Sequence, residues 1–210
     1  MVNTKFKNAQ QAFEFFYEDV KTNGVPFGDT KALFNVGFYI ENPEDRSIKT
    51  SHRKWNPKYA EKEWLWYLSG NPNAEEISKG APIWKNMMDE DGNVRSNYGW
   101  QWMRNDQLNK VINKLKDDPS TRHAAISIYD GKEIDTYSND TPCTYAVQFT
   151  ILDNKLNMSV LMRSNDLWYG FCNDQYCFSK LQKLVADMLA IPTGWYYHHA
   201  HNLHLYKNKI

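Results

Sequence analysis

The stretch TPCTYAVQFTILDNKLNMSVLMRSNDLWYGFCND, residues 141–174, carries two alternating apolar runs around Asp153-Asn154, then a polar segment around Tyr169-Gly170. Alternation with two turn-forming residues between the runs is the signature of an antiparallel hairpin, with CTYAVQFTIL and KLNMSVLMR as its strands. The segment that follows, RSNDLWYGFCND, must place many hydrogen-bonding groups against the core that the hairpin helps to build. Polar groups buried without partners are costly. That makes residues 163–174 the first place to look for a site.

Working outward, RHAAISIYD and KALFNVGFYI read as further strands, and WYYHHAHNLHLY alternates like another. Residues 9–23 have helical spacing through Phe13, Phe16, Tyr17 and Val20, with Gly24 as the stop. PKYAEKEWLWYLSG starts with a proline suited to a first turn and ends in Ser-Gly, which sets Glu63 on a helix amid Trp64, Leu65 and Leu68. A carboxyl group among tryptophans needs a partner or a task. DEDGNVRSNYGWQW reads as loop, residues 106–117 as a polar-faced helix, and QYCFSKLQKLVADMLA as a helix through Phe178, Leu181, Val185 and Met188. The pattern is α+β, a mostly antiparallel sheet covered by helices. No repeat, low-complexity tract or linker divides the chain, so a single domain over 1–210 is expected.

Lys plus Arg and Asp plus Glu both count 25, which removes any bulk electrostatic attraction for nucleic acid and leaves room only for a local cationic pocket. Aromatics at 15%, with eight tryptophans, exclude general disorder. No apolar run approaches bilayer length and MVNTKFKNAQQ lacks a leader's apolar core, so a cytoplasmic protein is expected. Three cysteines fit reduced thiols better than a disulfide framework.

Cys143, just after a proline at the mouth of a strand, reads as a small buried hydrophobe or as a nucleophile. As a nucleophile it needs a nearby cation, since a free thiol titrates at about 8.5, and Arg163 on the partner strand is placed to supply one. The run HHAHNLH offers His198, His199, His201 and His204. On a strand, His199 and His201 would share one face and His198 and His204 the other, and neither spacing matches a zinc pattern. Hydrogen-bonding histidines, with no metal, are the favoured reading. Arg122-His123 opens a strand as a solvent-facing pair or as a phosphate contact. Trp84 and SNYGW read as core or as a stacking wall, and pattern alone favours core.

Taken in order, EWLWYLSG, PIW, DEDGNVRSNYGWQW, DPSTR, TPCTYAVQF, RSNDLWYGFCND and HNLHLY resemble the thymidylate synthase family, collinearly from about residue 30 to Tyr206. Within it, SNYGW and MRSND-x3-GF-x-ND resemble the phage deoxycytidylate hydroxymethylases. The resemblance implies that fold, dimerising through the sheet, with methylenetetrahydrofolate as co-substrate and no metal. It implies that Cys143 adds to carbon 6 of a pyrimidine, that Glu63 organises water and proton transfers, and that Tyr98 stands near the nucleophile. Arg163 and Ser164 would hold the phosphate, and Arg122 would reach the phosphate site of a partner subunit. His123 stands where relatives carry a second phosphate arginine. His204 and Tyr206 would hold the sugar, Trp84 and Asp166 would line the folate site, and Gly170 would let backbone approach the ligand.

Asp174 stands where thymidylate synthases carry an asparagine that reads uracil. Cytosine reverses the pattern of donor and acceptor, and a protonated aspartic acid, or a carboxylate facing a ring protonated at N3, meets the reversed pattern. The expected substrate is therefore dCMP. NGVPFGDTK lacks the usual phosphate-loop arginine, and Lys31, the nearest cation, stays unassigned. Relatives continue past the position of Ile210 into a tail that closes the site, so a shortened lid is expected. An open site favours capture of the transferred carbon by water, giving 5-hydroxymethyl-dCMP in place of a methyl product.

Overall fold

A computed structural model describes residues 4–137 and 139–210; the stretch read for a leader begins in the three residues before them. In chain order the elements are β1 (Thr4–Phe6), α1 (Ala9–Asn23), β2 (Val25–Phe27), β3 (Thr30–Ile40), α2 (Pro57–Leu68), α3 (Glu75–Ser78), α4 (Tyr98–Met103), α5 (Gln107–Asp117), β4 (Ala125–Ser127), β5 (Thr144–Leu152), β6 (Lys155–Met162), β7 (Asn165–Asp166), α6 (Cys172–Met188) and β8 (Thr193–Tyr206). The strands form one sheet in the order β1-β3-β8-β6-β5-β4, with β2 added to β3 and β7 to β8. β2–β3, β3–β8, β4–β5 and β5–β6 are antiparallel. β1–β3, β6–β8 and β7–β8 are parallel. The sheet is mixed, with antiparallel pairing in the majority, as expected.

The β5–β6 hairpin forms where Asp153 and Asn154 lie. Both take left-handed backbone (φ 51° and 56°), which short Asp and Asn side chains tolerate and which matches the strand twist. Alternation then buries Val147, Phe149, Met158, Val160 and Met162 on one face, joined by Tyr196, His198 and Ala200 of β8. Against that face α6 packs Phe178, Leu181 and Val185, and α1 packs Phe13, Phe16 and Val20. Each such side chain contributes roughly 1.5–3 kcal/mol by leaving water. The opposite face presents Tyr39, Trp195, Tyr197 and His199, with Tyr39 edge-on to Trp195 at 5.1 Å and tilted against Tyr197 at 4.8 Å. Among the described residues no helix is long and apolar enough to cross a membrane.

Several local expectations change. Residues 98–103, read as loop, are helical because the Asn97 side chain accepts from Trp100 N and Tyr98 and Trp102, one turn apart, both reach the core. The strand read at RHAAISIYD shrinks to Ala125–Ser127. Leu65, Leu68 and Met188 are exposed, and Tyr67 takes the buried place beside Glu63. Gly24 does end α1, yet with φ −62°; a side chain there would strike Val20 O, so close approach is what requires the glycine. Along β8 the alternation of burial reverses at Asn202 and Leu203, so His204 leaves the buried face that His198 occupies.

Candidate active site

α2 sets the floor of the site. Asn56 caps it, its Oδ1 accepting from Lys58 N and Tyr59 N at 3.1 and 3.3 Å, and Pro57 occupies the first turn. The helical repeat then lines up Tyr59, Glu63 and Tyr67 on one face. Tyr67 Oη donates to Glu63 Oε1 at 2.8 Å, and the Tyr59 hydroxyl donates to the same carboxyl group. Tyr59 in turn accepts from Trp84 Nε1 at 2.7 Å, so a chain runs from Trp84 through Tyr59 to Glu63. Glu63 is only 4% exposed, and burial pushes its carboxyl up to about 7 while both phenols pull it down. Sequence reasoning missed both tyrosines, although their places four residues before and after Glu63 on the expected helix were a readable signal.

A cleft of about 460 Å³ opens over this floor. Glu63, Trp84, Tyr98, Cys143, Arg163, Ser164, Asp166, Gly170 and Asp174 all line it, which brings together residues far apart in sequence. Cys143 lies at the start of β5, where the pairing with β6 shifts register between Thr144 and Ala146. Arg163 ties itself to that end: its backbone N donates to Cys143 O at 2.8 Å, Nε to Pro142 O at 3.0 Å, and Nη2 to Thr141 O at 2.8 Å. Nη2 also lies 3.7 Å from Cys143 Sγ. The cation is where the sequence placed it, but it does not win. Burial pushes the thiol up to about 11, Arg163 pulls it down, and Asp174, Asp140 and Asp166 push it up again to the extent that each is ionised.

Asp174 sits in the first turn of α6. Burial, followed by the charge on Glu63, raises its carboxyl well above the usual range, against a hydrogen bond from Asn165. That bond, Asn165 Nδ2 to Asp174 Oδ2, is 2.7 Å long. Asp166 accepts from Trp168 N and Tyr169 N at 2.9 and 3.1 Å and so caps the π-helical turn Leu167–Phe171 that leads into α6. Burial raises its carboxyl too, with His204 and Arg53 among the groups that lower it. Arg53, another residue sequence reasoning missed, lines the cleft with its guanidinium 5.6 Å from the Trp168 ring centre. Its Nε and Nη1 are buried with no hydrogen-bond partner among the described residues.

Four expected contacts are not brought into the cleft lining. His204 stands beside Asp166 in the β7–β8 pairing and its Nδ1 lies 2.9 Å from Asn202 Oδ1. Tyr206 borders a separate hollow with Gly28, Asp29, Lys207 and Asn208. Arg122 and His123 are exposed ahead of β4. Lys31 donates to Lys21 O at 2.7 Å. Gly170 lines the cleft, and a side chain there would meet Asn165 Nδ2 at 3.0 Å and Asp174 Oδ2 at 3.2 Å.

The family model for thymidylate synthase matches residues 20–210. Thymidylate synthase of Bacillus mojavensis is 27% identical over 205 residues, covering 91% of this chain and 73% of its own. That of Bacillus phage phi3T is 26% identical with the same coverage. The thermostable thymidylate synthase A of Bacillus subtilis superposes with a TM-score of 0.80 at 23% identity, over 95% of this chain and 80% of its own, which places the fold. The molecule is of the folate-dependent class that transfers a one-carbon unit to carbon 5 of a pyrimidine. The chain belongs to the thymidylate synthase family.

Proposed function

We propose that the chain is a dCMP hydroxymethylase. The observation that carries this reading is Asp174, a carboxyl group at the cleft wall whose burial favours its protonated form over the ionised one. A neutral acid offers one donor and one acceptor side by side, the complement of cytosine N3 and its 4-amino group. Uracil, with a donor at N3 and an acceptor at carbon 4, mismatches both, at on the order of 1–3 kcal/mol per contact.

The residues divide the work as follows. Cys143 Sγ bonds to carbon 6 as its proton passes to water in the cleft, while the Asp174 proton moves toward N3 and neutralises the charge that addition puts on the ring. Methylenetetrahydrofolate supplies an activated one-carbon unit to carbon 5. The apolar side chains Ile83, Trp84 and Met87, with Asp166 in the lining of the same cleft, fit a flat, hydrogen-bonding pterin. Glu63, poised near neutrality and backed by Tyr59 and Tyr67, takes the carbon 5 proton as the bond between the transferred carbon and the folate nitrogen breaks, passes a proton to that nitrogen, and activates the water that adds to the transferred carbon. Departure of Sγ from carbon 6 restores the ring. Nothing is oxidised, so tetrahydrofolate leaves at its starting oxidation level.

The phosphate falls to Arg163 and Ser164 of the cleft lining, and the sugar to His204, paired with Asp166, and Tyr206, both of which must turn toward the cleft to reach it. The aromatic open face of the sheet supports a homodimer, in which Arg122 of a second copy joins the phosphate site. The test is incubation with dCMP and methylenetetrahydrofolate. Appearance of 5-hydroxymethyl-dCMP by mass spectrometry, without dihydrofolate absorbance, is expected. A methyl product with dihydrofolate makes the chain a methyltransferase instead.

A further inference from the structure

Behind Asp174 lies a line of buried polar groups with no place in the reaction just described. Asn165, His198 and Tyr196 are 2%, 0% and 1% exposed. Asn165 Oδ1 lies 3.1 Å from His198 Nε2, and His198 Nδ1 lies 2.9 Å from Tyr196 Oη. Each bond fixes the next. The Asn165 amide gives its N–H to Asp174 Oδ2, so its oxygen faces the imidazole, and an amide oxygen only accepts. His198 Nε2 therefore carries the hydrogen and Nδ1 is the bare nitrogen. The far end locks this direction: His198 Nδ1 is the acceptor that the described residues offer the Tyr196 hydroxyl, and a buried hydroxyl hydrogen without an acceptor is costly. Burial also drives the His198 imidazole down to about 3, which keeps it neutral at any working pH.

We infer that Tyr196, His198 and Asn165 are positioning residues for base selection: a one-way chain of donors that fixes Asp174 Oδ2 as an acceptor and leaves Oδ1 to carry the carboxyl proton toward the substrate ring. This rests on the reading of Asp174 as the cytosine contact. With the direction set, the second lone pair of Oδ2 receives the 4-amino group while Oδ1–H meets N3. A carboxyl group free to exchange its two oxygens would lack that bias. Gly170 belongs to the same device, because a side chain there presses on both Asn165 Nδ2 and Asp174 Oδ2.

The chain makes claims that can be measured separately. In ¹⁵N spectra of the free protein, His198 shows the tautomer protonated at Nε2 at neutral pH; the tautomer protonated at Nδ1 overturns the assigned direction. Tyr196→Phe removes one hydroxyl and keeps the ring, and it lowers the ratio of kcat/KM for dCMP over dUMP by about tenfold, chiefly through loss on dCMP. His198→Gln, whose amide can accept from Tyr196 and donate to Asn165, holds the ratio within about threefold of the parent. If Tyr196→Phe is folded by circular dichroism and keeps the parent ratio, or loses equally on both nucleotides, the inference fails. A parent protein with no preference for dCMP overturns both this inference and the proposed function. A parent that prefers dCMP alongside variants that keep the whole preference overturns this inference alone.

Discussion

Glu63→Gln should make the protein more stable at pH 8 and change its stability far less at pH 5. The unfolded chain ionises this carboxyl near 4.5, the folded chain near 7, because burial penalises the charged form. A group whose folded value is raised gives stability that is fully present below the unfolded value and lost as pH rises through the folded one. The window for Glu63 is therefore about pH 4.5 to 7. Integrating the two titrations, wild type loses about 2.5 kcal/mol between pH 5 and pH 8 at this one site. Glutamine has nothing to ionise, still accepts from Tyr67, and leaves every other titration common to both proteins. The exception is Asp174, which feels the Glu63 charge and ionises more readily without it, adding to the effect in the same direction. The assay is paired urea denaturation at pH 5, 6, 7 and 8, read as the stability difference between variant and wild type. The gap should widen by about 2.5 kcal/mol, or about 5 to 10 °C in Tm for a chain of this size. A gap constant from pH 5 to pH 8 would refute the claim that the folded protein holds a proton on Glu63.

Two further outcomes follow from the same cleft. Asp174→Asn should cut dCMP turnover by at least tenfold more than dUMP turnover, measured as release of tritium from carbon 5; equal losses would sink the recognition scheme. Cys143 in the protein alone should react with iodoacetamide at pH 7.5 at least about a hundredfold more slowly than free cysteine, because a thiol near 11 is almost wholly protonated there; a rate within tenfold of free cysteine contradicts the burial argument.

What could be read in the sequence was mostly what repeats at short range. The hairpin around Asp153 and Asn154, the helix carrying Glu63 and the strand ending at Tyr206 all lie where alternation and helical spacing put them. Helix α4 escaped because six residues carry too little periodicity, and its cap, Asn97, sits inside a run of turn-forming types. For the site, ordered motifs gathered Glu63, Cys143, Arg163 and Asp174, and the cleft holds all four. Hidden were the effects that depend on how surfaces meet. Arg163 faces Cys143 as anticipated, but only the packing tells that desolvation outweighs it. His198 was one of four histidines in a strand, and nothing local marks it as the one that meets Asn165 across the β-sheet. Arg53 reached the cleft from a segment with no periodicity at all.

The place of β8 at the centre of the sheet has a consequence for how the protein comes into being. Thr30 pairs with Tyr206 and Ile40 with Tyr196, so the longest strand pairing joins an early part of the chain to a late one. At roughly 5–20 residues per second, β3 waits on the order of 10 to 30 seconds on the ribosome before its neighbour has been made. During that interval the β5–β6 hairpin, whose contacts are local, can form alone, while β3 offers an unpaired apolar edge. Nascent chains paused before residue 193 should therefore engage chaperones through β3 and lose that engagement once β8 emerges.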